Sequence, residues 1–190
     1  MDYIKNIFAT NKYSKKCQKI IKNHGEDIIE GITIMRHALP SAITYFSNNL
    51  TSEEQFDKLF HLYMIITTNR GKILIEKNEN INMDTNIPNI KSAESYIIHN
   101  IPQGIKLRTF LDNCRKRMGD SLYFDYNVSS NNCQYYVMNL LLANNITDGI
   151  QFVKQNTGSI FKNHPILRKS INSIVDIASY GDRILGGELI

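Results

Sequence analysis

A cysteine at the start of a helix, a histidine on a strand and an acid on the next strand supply a thiol nucleophile, its base and the group that orients the base. In this chain those residues are Cys133, His61 and Glu76. Cys133 lies in Ser130-Asn131-Asn132-Cys133-Gln134-Tyr135-Tyr136-Val137. Serine and asparagine are helix-capping types, and from Cys133 onward the apolar residues Val137, Leu140 and Leu141 follow at helical spacing, which predicts a helix beginning at the cysteine. A cysteine in a first helical turn feels unpaired backbone N–H groups and the positive end of the helix dipole. Both favour the thiolate, the nucleophilic form. The alternative for any one cysteine is a small, inert core residue.

His61 sits in Phe56-Asp57-Lys58-Leu59-Phe60-His61-Leu62-Tyr63-Met64-Ile65-Ile66-Thr67-Thr68, a β-branched and aromatic run that predicts a buried strand. Asn69-Arg70-Gly71-Lys72 reads as a turn, with glycine where a positive φ is required, and residues 73–79 read as the returning strand. Alternation then puts Leu74, Glu76 and Asn78 on one face and Ile73, Ile75 and Lys77 on the other. Glu76 is the first choice for orienting the imidazole and Asn78 the second. The backbone N–H of Cys133 is a natural oxyanion donor at the helix start. For the second donor the sequence leaves Gln134, Tyr126 and Tyr123 open, with Asn132 as a supporting neighbour. His24, His37, His99 and His164 read as ordinary surface or core residues.

The order of His on a strand, a polar residue on the next strand, then Asn-Cys at a helix start resembles the circularly permuted papain-like group. That group includes the permuted NlpC/P60 proteins and the lecithin:retinol acyltransferase-like proteins. In the latter the nucleophile lies in an Asn-Cys-Glu-His-Phe-Val type motif, and Asn132-Cys133-Gln134-Tyr135-Tyr136-Val137 is similar, with Gln for Glu and Tyr-Tyr for His-Phe. The resemblance covers about residues 55–145 and looks closest to members carried by large DNA viruses. Where acyltransferase-like members commonly hold a histidine as third group, this chain holds Glu76. The resemblance implies an α+β, permuted papain-like fold. Its antiparallel sheet would pack against a central helix bearing the cysteine, with extra helices at both termini. It also implies acyl-enzyme chemistry on a peptide or lipid substrate, by hydrolysis or acyl transfer. A catalytically silent virion structural or interaction protein on the same fold is the alternative, because fold does not fix function.

Adenovirus-type cysteine proteases share the order His, acid, Cys. They carry a glutamine a few residues before the nucleophile and a glycine after it. Here Phe124-Asp125-Tyr126-Asn127-Val128 has no glutamine, and Gln134 follows the cysteine. Gly186-Gly187 near the C-terminus is similar to the diglycine sites such proteases cut; a flexible tail is the simpler reading.

Composition narrows the classes further. The chain has 190 residues, of which 42% are hydrophobic, enough for one sizeable core. No run has the length of a membrane span, and no secretory signal is visible at the N-terminus. Three cysteines, Cys17, Cys114 and Cys133, have no paired spacing, which points to a reducing compartment; the resemblance to viral proteins implies host cytoplasm or a virion. No Cys-x-x-Cys or His-x-x-x-His spacing suggests a metal, no glycine-rich loop suggests a nucleotide, and no cofactor is expected. No specific nucleic-acid motif occurs. Residues 1–24 hold six lysines, Lys5, Lys12, Lys15, Lys16, Lys19 and Lys22, against Asp2 alone. The whole chain carries +4, so the remainder nets about −1 and the basic character is local. With Tyr3, Ile4, Ile7 and Phe8 beside them, these lysines suit contact with an anionic membrane or a virion component. The simpler reading is a surface helix with its apolar side on the core.

The rest of the chain organises around the hairpin and the cysteine helix. A helix over 12–24 stops at Gly25, and Ile28-Ile29 and 31–35 suggest a strand. Pro40 suits a helix start. Residues 80–104 look irregular, with at most a short strand at Ile97-Ile98. Leu107, Phe110, Leu111, Cys114 and Met118 predict a helix ended by Gly119, with Arg108, Arg115, Lys116 and Arg117 as its solvated face. Leu122, Phe124 and Tyr126 alternate as a strand, and a last helix is expected over 165–180. The expected organisation is a basic helical segment at 1–30, a papain-like domain at 31–163 and a C-terminal helix and tail at 164–190.

Overall fold

The computed structural model describes residues 13–38, 60–89, 93–127 and 130–154. These form an α+β structure. The helix α1 (Lys15–His24) leads into the strand β1 (Ile29–Ala38); β2 (Phe60–Thr68), β3 (Gly71–Lys77), β4 (Ile81–Asp84) and β5 (Glu94–Ile97) follow. The helices α2 (Leu107–Met118), α3 (Asp120–Phe124), α4 (Cys133–Ala143) and α5 (Ile150–Val153) complete the described chain. The strands form one antiparallel sheet in the order β4-β3-β2-β1-β5.

The hairpin pairs Tyr63 with Glu76, Met64 with Ile75 and Ile66 with Ile73, and it closes at Thr68 and Gly71. Gly71 has φ of 140°, a conformation L side chains rarely adopt, which accounts for glycine at the turn. Directly paired residues share a face. One face therefore carries Ile32 and Ile34 from β1, Leu62, Met64 and Ile66 from β2, and Ile73, Ile75 and Lys77 from β3. All of these are buried, and α4 packs against β2 and β3 over them. The opposite face carries His37, His61, Tyr63 and Glu76.

α1 contributes Cys17, Ile20 and Ile21 to the same core, and Ser14 caps its first turn by accepting from the Cys17 N–H. Its lysines point outward, with Lys16 paired to Asp84. The apolar face of this stretch is thus spent on the interior, while Lys5, Lys12 and the apolar residues of 3–8 lie outside the described residues. So do the helices expected near Pro40 and over 165–180, and Gly186-Gly187.

Two local expectations are overturned. Residues 122–126 are not a strand: 120–124 form the short helix α3. Asp120 in its first turn accepts a two-pronged ion pair from Arg115, and Ser121 bonds to Asp125 one turn later. Tyr123 is the buried residue here and Leu122 is exposed, the reverse of what the alternation implied. The stretch 80–104 is not wholly irregular either. It supplies β4, hidden by its asparagine-rich sequence, and β5, which overlaps the short strand expected at Ile97-Ile98 but lies mostly before it; both are edge strands.

Candidate functional site

Asn132 is the N-cap of α4, and its side chain accepts from the Tyr135 N–H. This cap sets the helix start, so Cys133 is its first residue and its N–H has no acceptor within the helix. Cys133 is buried. The start of α4 lies at the end of β3, because Lys77, the last residue of that strand, bonds to Asn131. In an antiparallel hairpin the end of β3 is also the beginning of β2, where His61 sits.

His61 Nε2 is 2.9 Å from Glu76 Oε2, with the two side chains 17% and 20% exposed. The Cys133 side chain lies near enough to the ring to influence its protonation. Burial works against a charged imidazole here. The influence of Cys133, then of Glu76, outweighs it and pushes the His61 pKa up to about 10. Burial pushes the Glu76 carboxyl up, yet its bond to His61 and the imidazolium charge leave it below its ordinary value. The arrangement therefore favours a protonated ring bonded to the Glu76 carboxylate, with the Cys133 side chain nearby.

Asn78 does not take the orienting role. It is buried, and its Nδ2 lies 3.5 Å from Glu76 Oε1 while its Oδ1 accepts from Asn82. Asn78 braces the carboxylate from behind. Of the three side chains considered as a second oxyanion donor, Tyr123 is excluded. Its hydroxyl is buried between those of Tyr13, at 2.6 Å, and Tyr136, at 3.3 Å. Gln134 is buried and lines a cavity of about 40 Å³ together with Arg36, Phe60, Leu62 and Phe152. Tyr126 is half-buried.

The other two cysteines are built differently. Cys17 donates to the Ile81 carbonyl and Cys114 lies against the Met118 sulfur. Burial raises the Cys17 thiol and pushes Cys114 up to about 12. Both suit inert core residues. Cys133 is the cysteine that lies near a histidine among the described residues.

Two neighbours escaped the sequence reading. His37 pairs with His61 across β1 and β2, with ring centroids 5.5 Å apart, and its charge also favours ionised Glu76. Following the alternation of β1 from Met35 to the next residue on that face would have found it. Tyr63 stacks on His61 at 6.4 Å between centroids and is buried, with no hydrogen-bond partner for its hydroxyl among the described residues. Among the described residues no group of His, Cys, Asp or Glu side chains could hold a metal, and no helix is long and apolar enough to cross a membrane. His24 pairs with Asp27, and His99 lies near Tyr96, so neither belongs to the site. No family model, curated protein or solved structure matches this chain.

Proposed function

We propose that this protein is a cysteine hydrolase or acyltransferase on a permuted papain-like fold, with Cys133 as nucleophile, His61 as base and Glu76 as orienting residue. The observation that carries the reading is the 2.9 Å bond of His61 to Glu76, with the Cys133 side chain near enough to the ring to influence it. A ring has two nitrogens; Glu76 engages Nε2, so Nδ1 is the nitrogen left for sulfur. An acid that fixes the ring and neutralises the imidazolium is the third member of a nucleophile–base–orienter set.

In the reaction His61 holds the thiol proton, and the Cys133 sulfur attacks the carbonyl carbon of an amide or ester. An S–C bond forms as the carbonyl π pair moves onto oxygen. The Cys133 N–H at the start of α4 faces the developing oxyanion, with Gln134 the better placed second donor. Collapse expels the amine or alcohol, which takes the proton from His61 and leaves an acyl-enzyme. Water or an acceptor hydroxyl or amine then gives a proton to His61 and attacks the thioester, releasing the product and restoring the thiol. The sequence likeness to proteins of large DNA viruses makes a viral peptide or lipid ester the substrate class to test first.

Incubation with activated acyl esters and peptide thioesters, followed by intact-mass measurement, tests this. The expected product is one acyl group per chain, mapped to Cys133 and absent from Cys133→Ala. Acylation of other residues only, or none across short and long acyl chains and peptides, would overturn the reading.

A further inference from the structure

Lys77 is fully buried, an uncommon place for a lysine. It follows Glu76 on β3, so the two side chains leave the strand on opposite faces. Lys77 Nζ donates to the Leu122 carbonyl at 2.8 Å and lies 3.5 Å from Asn131 Oδ1. Asn131 Nδ2 in turn donates to the Leu122 and Asp125 carbonyls, both at 2.8 Å. The same ammonium stands 5.5 Å from the centroid of the Tyr136 ring. Asn131 is two residues before Cys133 and Tyr136 three residues after it. One side chain therefore touches both flanks of the nucleophile.

Burial alone makes this lysine costly, and it pushes the ammonium pKa down to about 8. A methionine of similar length would fill the space without that cost, so packing does not explain the residue. What lysine adds is a fixed donor that ties the stretch before α4 to β3. The neighbouring residue of that strand orients the base.

We propose that Lys77 is a positioning residue for Cys133, holding both flanks of the nucleophile against the strand whose Glu76 orients His61. This rests on the reading of Cys133 and His61 as a reactive pair. Adjacent residues of β3 then fix the two halves of that pair from opposite faces of the sheet. A displacement of about 1 Å at a reacting atom can cost on the order of 100-fold in rate, so a loosened flank has a visible consequence.

The test is the rate of iodoacetamide alkylation at Cys133, read by peptide mass, in the full chain. Wild type, Lys77→Met, His61→Ala and the double variant are compared, with Tm recorded for each. The expected result is Lys77→Met at least about 10-fold slower, with Tm not lowered, and a double variant about as slow as His61→Ala alone, so that Lys77→Met has little effect once His61 is gone. A purely structural lysine would move Tm and leave the dependence on His61 intact. If Lys77→Met does not fold, Asn131→Ala is judged by the same criteria, since it removes the other half of the brace. A Lys77→Met rate equal to wild type, while His61→Ala still slows wild type, overturns this inference and leaves the reactive pair standing. A wild-type rate indifferent to His61 overturns the reactive pair and this inference with it.

Discussion

Replacing His61 by alanine is expected to slow alkylation of Cys133 at neutral pH by about 100-fold, the scale of a lost positioned base. The reason is local. The sulfur is buried with the imidazole nearby, so that ring is the group placed to take its proton. Peptide mapping after a short iodoacetamide exposure reads the effect at each cysteine separately. Cys17 and Cys114, buried with raised thiols, are expected to stay unmodified in both proteins. A His61→Ala protein with wild-type reactivity at Cys133 would remove the base from the account.

The second large effect is on stability. Glu76→Gln is expected to cost about 2 kcal/mol near pH 6, between the small value of an exposed ion pair and the several kcal/mol of a fully buried one, because both side chains remain about a fifth exposed. The pH dependence follows from the direction of each shift. His61 binds its proton more tightly in the folded chain. Its contribution is fully present below the ordinary value of 6.5 and is lost as pH rises through about 10. Glu76 is depressed, so its contribution is present above the ordinary value of 4.5 and is lost as pH falls through its lowered pKa. The gap between wild type and Glu76→Gln should therefore be widest between about pH 4.5 and about pH 6.5 and shrink toward pH 10. Urea unfolding across that range measures it. A gap that stays constant with pH would mean the carboxylate does not hold a charged imidazole.

The parts of this site that were legible in the sequence are those set by local periodicity. Strict alternation across 73–79 was enough to put Glu76 on the face opposite Ile73 and Ile75, and the observed register pairs it with Tyr63, two residues from His61 on the same face. Asn132 announced the helix start through its capping chemistry, and the cap is present. The failures share a different cause. Residues 122–126 alternate apolar and polar, but Gly119, Asp120 and the Arg115 ion pair start a helix there, an interaction with the preceding element that a short window does not contain. β5 forms by pairing with the distant β1, β4 by pairing with the adjacent β3, and the sequence of both is poor in strand formers. Lys77 is the sharpest case. Alternation assigned it to the face of Ile73 and Ile75, the buried face, and its residue type argues for solvent. The conflict is resolved by Asn131 and the Leu122 carbonyl, which come from far along the chain. A local rule broken at a buried position is the usual mark of a site.

The central claim is that His61 is a charged ring held between Glu76 and Cys133. Its most direct test is the titration of the His61 ring by NMR, from about pH 5 to about pH 11, in wild type and in Cys133→Ala. The account expects a wild-type midpoint near 10 and a clearly lower one when the sulfur is removed, since Cys133 is the largest of the influences raising it. A wild-type midpoint near the ordinary 6.5 that Cys133→Ala does not move would contradict the pairing, and with it the proposed chemistry.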